Sequence, residues 1–507
     1  MLKKFLIFAF VCMFLIGCSS NESDAEKTGS DEIESFTFAL PIDTQAIEPF
    51  NGTSTTSATV IYQMFNALTR TSPEGEVQGD LAESFERIDE LTWQFKLREN
   101  VAFHNGEEFN AETVKYSVER MLDTSKQFGL TSDYLFIDSV EIVDDYTVNI
   151  ITKEPNNGTP LSLIYLSMVP KEYIEENGDE YFAENPIGTG PFKFQEYAKD
   201  AHVKYERYDD YFKGKVNIKE LTFKPIPEES SRIAALESGE VDLITDVSIN
   251  QLNRLEQAEN LVVESFPTTR VSYIGFNMRK DSELIQNESF RKALNYAVNV
   301  DSIIENLLEG NGETIPAIFL SHFNGYNSGI EPYAYDVEKA KELLEESGYD
   351  GESLELAIAA NTKQLPVVEA VADMIREIGV NVEVVQKENV LMREEVAAGT
   401  ISDLYFFNIG GAYNSSELMS RIGFGSVQRY STFFNSEMDE LRVAANSEMD
   451  EEKSEQLWQD YQNNIYDIAP AIFLYQEYAS NVLSSAYTNY TPRGDELILL
   501  EDIEKNE

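Results

Sequence analysis

Between Asp336 and Ala412 the chain switches repeatedly between two hydrophobic periods, and that alternation restricts its fold more than any other feature. Asp336 predicts a helix N-cap, with Ala340, Leu343 and Leu344 on the inward face and Gly348 as the stop. Leu354 to Ala359 alternates as a strand. Pro366 opens the next helix where its missing N–H costs nothing; Val371, Ile375 and Ile378 face inward and Gly379 ends it. Val380, Val382 and Val384 alternate with polar residues, a short helix runs to Ala398 and Gly399, and Leu404 to Ile409 is again a strand. Strand, helix, strand, helix, strand with short connections predicts a parallel sheet with right-handed crossovers, hence an α/β fold. Elsewhere Leu91 to Leu97 alternates as a strand. Asn110 caps a helix with Val114, Val118, Met121 and Leu122 on one face, and Val140 to Ile151 reads as a hairpin turning at Asp144-Asp145.

Open α/β sheets bind ligands beyond the carboxyl ends of their strands. That rule selects the segment from Asn408 to Asn414. There Gly410 and Gly411 allow close backbone approach, Tyr413 offers a flat amphipathic face, and Asn414 both donates and accepts hydrogen bonds. A plain turn with a packed tyrosine is the competing reading. A comparable place is the end of the predicted strand Val241 to Thr245, where Asp246 is either a capping aspartate, its simplest role, or a ligand contact.

The N-terminus fixes the compartment. Lys3 and Lys4 precede an apolar run from Phe5 to Ile16, far short of the roughly 20 residues that span hydrocarbon. The run closes on Leu15-Ile16-Gly17-Cys18, a lipobox pattern. Residues 1–17 are therefore expected to be a cleaved lipoprotein signal and Cys18 to carry acyl chains such as palmitate. An ordinary secretory signal or an N-terminal membrane anchor are the alternatives. Residues 18–35 contain almost no apolar side chain and read as a flexible tether.

Of the two cysteines, Cys12 would leave with the signal and Cys18 would be acylated, which predicts no disulfide and no cysteine-ligated metal. A core must supply the stability. At 507 residues and 42% hydrophobic the chain is large enough for two or three domains. Its net charge of −51 would repel nucleic acid and anionic headgroups. Such an excess suits a saline or alkaline exterior, where charge keeps a protein soluble.

No catalytic constellation emerges. His104, His202 and His322 are far apart in sequence and predict no dedicated metal site. Ser289-Phe290-Arg291-Lys292 has S-x-x-K spacing, but the one Lys27-Thr28-Gly29 lies upstream in the tether, opposite to the order that acylating enzymes need. No G-x-S-x-G, H-E-x-x-H or Walker sequence occurs. The chain is read as a non-enzyme with no cofactor.

Several ordered stretches carry a family resemblance: Leu81 to Phe85, Leu91 to Arg98 and Val101 to Gly106, then Asn185 to Phe192, Ala235 to Asp242, Phe276-Asn277, Phe290 to Val298 and Ala340 to Leu344. Together they resemble the solute-binding lipoproteins of peptide and nickel ABC transporters, extracellular solute-binding protein family 5. The resemblance implies a bilobed periplasmic-binding-protein-like fold (type II, cluster C) with an extra subdomain on the first lobe. Lobe I would comprise residues 36–55, 186–270 and 478–507, the accessory subdomain 56–185 and lobe II 271–477, joined by crossing strands near Phe266 to Phe276 and Gln476 to Val482. It also implies Asn277 as a ligand contact beside those named above, a peptide or other small solute as cargo, and a membrane permease with its ATPases as partners. A nickel chelate, or a peptide pheromone sensed on the same fold, are alternative cargoes. Dipeptide-binding members resemble a pattern with an aspartate where this chain has Ala412 or Asn414, and with an arginine near Pro366 that is absent here. An unpartnered ligand charge would cost several kcal/mol, so dipeptides clamped at both termini are not expected.

Overall fold

The computed structural model describes residues 32–44, 47–360, 362–410, 415–425 and 431–506. Among them a single eleven-stranded sheet passes through the whole molecule. From one edge its order is Asn381–Lys387, Ser353–Ala359, Leu404–Ile409, Leu261–Phe276, Ala471–Ser484, Leu243–Ile244, Ile33–Leu40, Ile218–Pro225, His202–Arg207 and Phe192–Ala198, with Gly312–Thr314 joined to Ala471–Ser484.

The alternating region folds as its periodicity predicts. Asp336 accepts from the Lys339 N–H at 2.9 Å to start helix Val337–Ser347, which ends on Gly348 at φ 76°. Helix Leu365–Glu377 carries Pro366 in its first turn, and helix Asn389–Ala398 ends on Gly399 at φ 71°. The three strands between them are parallel, with Leu354 opposite Val382 and Leu356 opposite Leu404. Leu404–Ile409 is apolar on both faces and Ser353–Ala359 becomes so from Leu356 onward, whereas the edge strand Asn381–Lys387 exposes Asn381 and Glu383 on one side. Leu354, Leu356, Ile358, Leu404 and Phe406 enter one core with Val368, Val371 and Ile375, while Ala357, Tyr405, Phe407 and Ile409 enter another with Trp458 and Tyr461. A strand covered on both sides reads as a continuous apolar run for this reason.

The sheet as a whole is mixed. Leu404–Ile409 pairs antiparallel with Leu261–Phe276, which pairs antiparallel with Ala471–Ser484 along nearly its full length. These two long strands are shared by the bodies on either side. Beyond them a large cluster joins Phe36, Phe38, Leu221 and Phe223 to Phe95, Val118, Val148 and Phe182. The last four belong to a four-stranded antiparallel sheet (Ala82–Arg87, Thr92–Leu97, Thr147–Thr152 and Ile137–Asp144) and the helices around it. The expected hairpin is present, but it turns at Asp145-Tyr146, because strand pairing extends through Asp144 to Thr147. The expected strand Val241 to Thr245 shortens to Leu243–Ile244.

Candidate functional site

Where the two long strands cross between the bodies, their ladder breaks. Pro267 pairs with Tyr478 but the next pair is Val271 with Gln476, so Thr268, Thr269 and Arg270 bulge out of register. Other partners satisfy the freed backbone: Thr269 N–H donates to Gly494 O at 2.7 Å, and Gln476 Nε2 to Thr268 O at 2.6 Å. A bulge of this kind bends a strand and re-aims its side chains. At the bulge opens a cavity of about 1440 Å³, lined from one side by Thr53 to Thr56, Thr245 to Asn250 and Asp495 to Ile498, and from the other by Lys363, Gln364, Arg393, Asn408 and Gly410. Thr268, Arg270 and Glu477 to Asn481 form its floor.

The walls are chemically distinct. On the first side, Ser54 caps helix Thr55–Ile61, and its neighbours are small hydroxyl side chains able to donate to and accept from a peptide backbone. On the second, the N-terminal turn of helix Leu365–Glu377 faces the cavity through Gln364, Pro366 and Val367. Charged groups of the floor and of the first wall meet at the bulge. Arg270 Nε pairs with Glu496; burial opposes the guanidinium charge, but Glu496 and Glu477 beside it outweigh that and raise its pKa. Burial raises the Glu496 carboxyl, with Arg270 working against it. Glu477 Oε1 accepts hydrogen bonds from Ser272 Oγ, Asn408 Nδ2 at 3.1 Å and Gln364 Nε2 at 3.4 Å. Asp246 and Glu496 both hold left-handed backbone, at φ 56° and 61°, where non-glycine residues cost of order 1 kcal/mol or more. Buried Arg232 secures the first of these turns by donating to Ile226, Pro227 and Asp246 carbonyls.

The residues expected from sequence are placed as follows. Asp246 lines the cavity and pairs with Lys363 Nζ at 2.8 Å across its mouth. It caps no helix: Ser248 occupies the N-cap of Ile249–Leu255. Gly410 lines the cavity too, and a Cβ on it would lie 2.3 Å from Arg270 Cα, so glycine lets this strand end abut the bulge. Gly411, Tyr413 and Asn414 lie outside the described residues, as does Cys18. Asn277 is elsewhere. It is 1% exposed, and its amide donates to Gly399 O and Ile401 O at 3.2 and 2.6 Å, a closure of the local chain rather than a ligand contact.

None of the three histidines lines the cavity. His104 Nδ1 accepts from Gly188 N–H at 3.4 Å and Nε2 faces Gly190 O at 2.9 Å, which assigns the proton to Nε2. Burial holds its pKa down to about 4, against the favourable Gly190 carbonyl. His202 pairs with Glu196, and His322 stands edge-on to Phe323. Sequence reasoning missed Arg270, Lys363, Glu477 and Glu496. A charged residue inside an otherwise apolar strand end, as at Glu477, was the one available signal.

Residues 76–430 match the family described as bacterial extracellular solute-binding proteins, family 5 Middle. The chain is 27% identical to the glutathione-binding protein GsiB of Pectobacterium atrosepticum, covering 91% of this chain and 92% of that one. Among solved structures it is similar to the ABC transporter substrate-binding protein CtaP of Listeria monocytogenes, with a TM-score of 0.85 at 24% identity over 94% of this chain and all of the other. It is also similar to the periplasmic binding protein DppA of Helicobacter pylori in complex with the peptide STSA, with a TM-score of 0.77 at 25% identity over 93% of this chain and 98% of the other. The two bodies and the cavity between them are thus the lobes and cleft of a bilobed binding-protein fold.

Proposed function

The chain belongs to the bacterial extracellular solute-binding proteins of family 5, and from that membership we propose that it is the capture component of an ABC importer, closing two lobes on a peptide and passing it unchanged to a membrane permease and its ATPases. The observation that carries this reading is the cleft itself. Its volume of about 1440 Å³ exceeds the roughly 300–1,000 Å³ of ordinary small-molecule sites, which favours a peptide over an amino acid or a bare ion. Its hydroxyl wall and hinge floor supply many neutral hydrogen-bonding groups, as reading a peptide backbone requires, and no histidine for a nickel chelate to recruit. The two crossing strands, paired over most of their length but interrupted at Thr268 to Arg270, give the lobes a place to bend.

The proposed division keeps residues 36–55, 186–270 and 478–507 as lobe I, 56–185 as an accessory subdomain and 271–477 as lobe II. Residues 1–17 would be removed, with Cys18 acylated and 18–35 tethering the lobes to the outer face of the cytoplasmic membrane. Replacing Cys18 by Ser should move the protein from the detergent phase to the aqueous phase on partition; retention in the detergent phase would count against the anchor.

A panel of peptides of graded length, added to purified full-length protein while its melting transition is followed, tests the capture reading. A peptide at 100 times its dissociation constant should add about 2.7 kcal/mol of stability. If no peptide shifts the transition while nickel with free histidine does, the peptide reading is wrong.

A further inference from the structure

The cleft floor holds a carboxylate that the protein orients without neutralising. Among the described residues, the side-chain hydrogen bonds to Glu477 all fall on Oε1 and come from neutral groups, Ser272, Gln364 and Asn408. Gln364 is itself positioned by Tyr475 OH at 2.8 Å, so the donors form a fixed cradle. The cavity's cations are engaged elsewhere. Arg270 donates its Nε to Glu496. Glu496 is locked in its left-handed turn beside Asp495, whose carboxylate is gripped by buried Arg493 at 2.6 Å. Lys363 is bound to Asp246, and Arg393 lies over the Phe407 ring at 5.4 Å. Two carboxylates, Glu477 and Glu496, therefore share one guanidinium at the hinge. Neutral donors aim a carboxylate but bring no charge to oppose its own. When lobes close and water leaves, an uncompensated charge on the floor becomes costly unless the cargo brings its opposite.

We propose that Glu477 is a specificity-determining residue that receives a primary ammonium group of the captured solute. This rests on the cleft being a peptide site, as argued above. The ammonium has two possible sources, a peptide's free N-terminus or a lysine side chain. Either would complete the hinge charge, whereas a blocked, neutral peptide would leave Glu477 enclosed with only its share of Arg270, which Glu496 already engages. Carboxylate-rich solutes would be disfavoured.

The test is calorimetric titration of the purified full-length protein with three probes: tetra-alanine, N-acetyl-tetra-alanine and N-acetyl-Lys-Ala-Ala-Ala. Wild-type protein is expected to bind at least one ammonium-bearing probe ten-fold or more tighter than N-acetyl-tetra-alanine; which of the two does so identifies the source. Glu477→Gln, which keeps the shape and one acceptor, should weaken that probe by about 10- to 100-fold and leave the neutral one within two-fold, in the range of a lost charged hydrogen bond. Should this variant not fold, the wild-type preference among probes still decides. Equal binding of all three probes by wild type, or equal weakening of all three by Glu477→Gln, would overturn the assignment and leave the peptide reading standing. Binding of no peptide at all would overturn both.

Discussion

The four-stranded accessory sheet and its helices meet the rest of the molecule at two seams of opposite character. Toward the first lobe the seam is buried. Arg120 of helix Ala111–Leu122, 2% exposed, grips Glu48 through both nitrogens at 3.2 Å, reaches Asp179 at 3.0 Å, and sits among the rings of Phe50, Phe128 and Phe182. His104 is pinned to the Gly188–Gly190 turn, whose glycines lie so close to Met64 that any side chain would collide with its backbone. Toward the second lobe the seam is a thin polar clasp. Asn157 N–H donates to Asn446 O at 2.9 Å and its Nδ2 to Glu448 O at 2.7 Å, Asn446 reaches Asn156 Oδ1 at 3.2 Å, and Arg87 reaches Ser447 O at 3.4 Å. One seam shares a core and the other shares only hydrogen bonds. The accessory unit is therefore part of the first lobe energetically, and opening about the crossing strands breaks polar contacts, the clasp together with Lys363–Asp246 and Asn253–Glu309 across the lobes, rather than a shared core.

The largest expected effect tests the buried seam. Arg120→Leu leaves Glu48 buried without its cation, and removing one partner of such a pair costs about 3–5 kcal/mol. Urea unfolding should show that loss; a cost below 1 kcal/mol would erase the contrast between the seams. His104 gives the next effect and a pH signature. Its folded pKa of about 4 lies below the ordinary 6.5, so the unfolded chain takes up a proton first as pH falls. The stability tied to the neutral imidazole is complete above pH 6.5 and declines from there toward pH 4, by about 3 kcal/mol at most. Between pH 7 and pH 4.5, wild type should therefore lose about 2–3 kcal/mol more than His104→Gln, whose side chain does not titrate. Equal losses would mean the imidazole is not held neutral.

The parts of this molecule that could be read in advance are those whose determinants are local. Helix Val337–Ser347 is declared by its own cap and stop, and strands Ser353–Ala359 and Asn381–Lys387 by the alternation of Leu354, Leu356, Val382 and Val384 with polar residues. The hinge is different. Arg270 lies more than two hundred residues before Glu477 and Glu496, and the bulge that gathers them exists only in the pairing of two strands. The hydroxyl tract at Thr53 to Thr56 has the composition of a surface loop, and only its place against the crossing strands makes it a wall. Asn277 shows the converse. The family resemblance implies a ligand contact there, yet the chain uses that amide to satisfy two carbonyls of the turn before Leu404–Ile409.

The clasp should affect closure rather than folding. Asn157→Ala removes the donor to Glu448 O and the acceptor of Arg87, leaving partly buried groups unmatched at about 1–3 kcal/mol. If the clasp forms only when the lobes close, peptide affinity should fall by roughly 5- to 100-fold, with a faster off-rate and little change in the unfolding midpoint of unliganded protein. A variant destabilised like Arg120→Leu, with its affinity intact, would make the clasp a second permanent seam.

The smallest effect belongs to the ion pair at the cleft mouth, and salt separates it from the clasp. Lys363 and Asp246 approach to 2.8 Å but remain 61% and 57% exposed, a setting in which a pair contributes at most about 1 kcal/mol. Lys363→Gln should therefore weaken peptide binding by no more than about five-fold at low ionic strength. At 1 M salt, where charges are screened beyond about 3 Å, the difference from wild type should vanish. Asn157→Ala should keep most of its effect there, because the bonds Asn157 itself makes, to the Glu448 and Asn446 carbonyls and from Arg87, join no two opposite charges, and the attraction of Arg87 for Glu448 nearby is the part that salt weakens. Equal salt sensitivity of the two variants would mean that both report one general electrostatic loosening of the lobes, and the division into a neutral clasp and a charged mouth would have no energetic content.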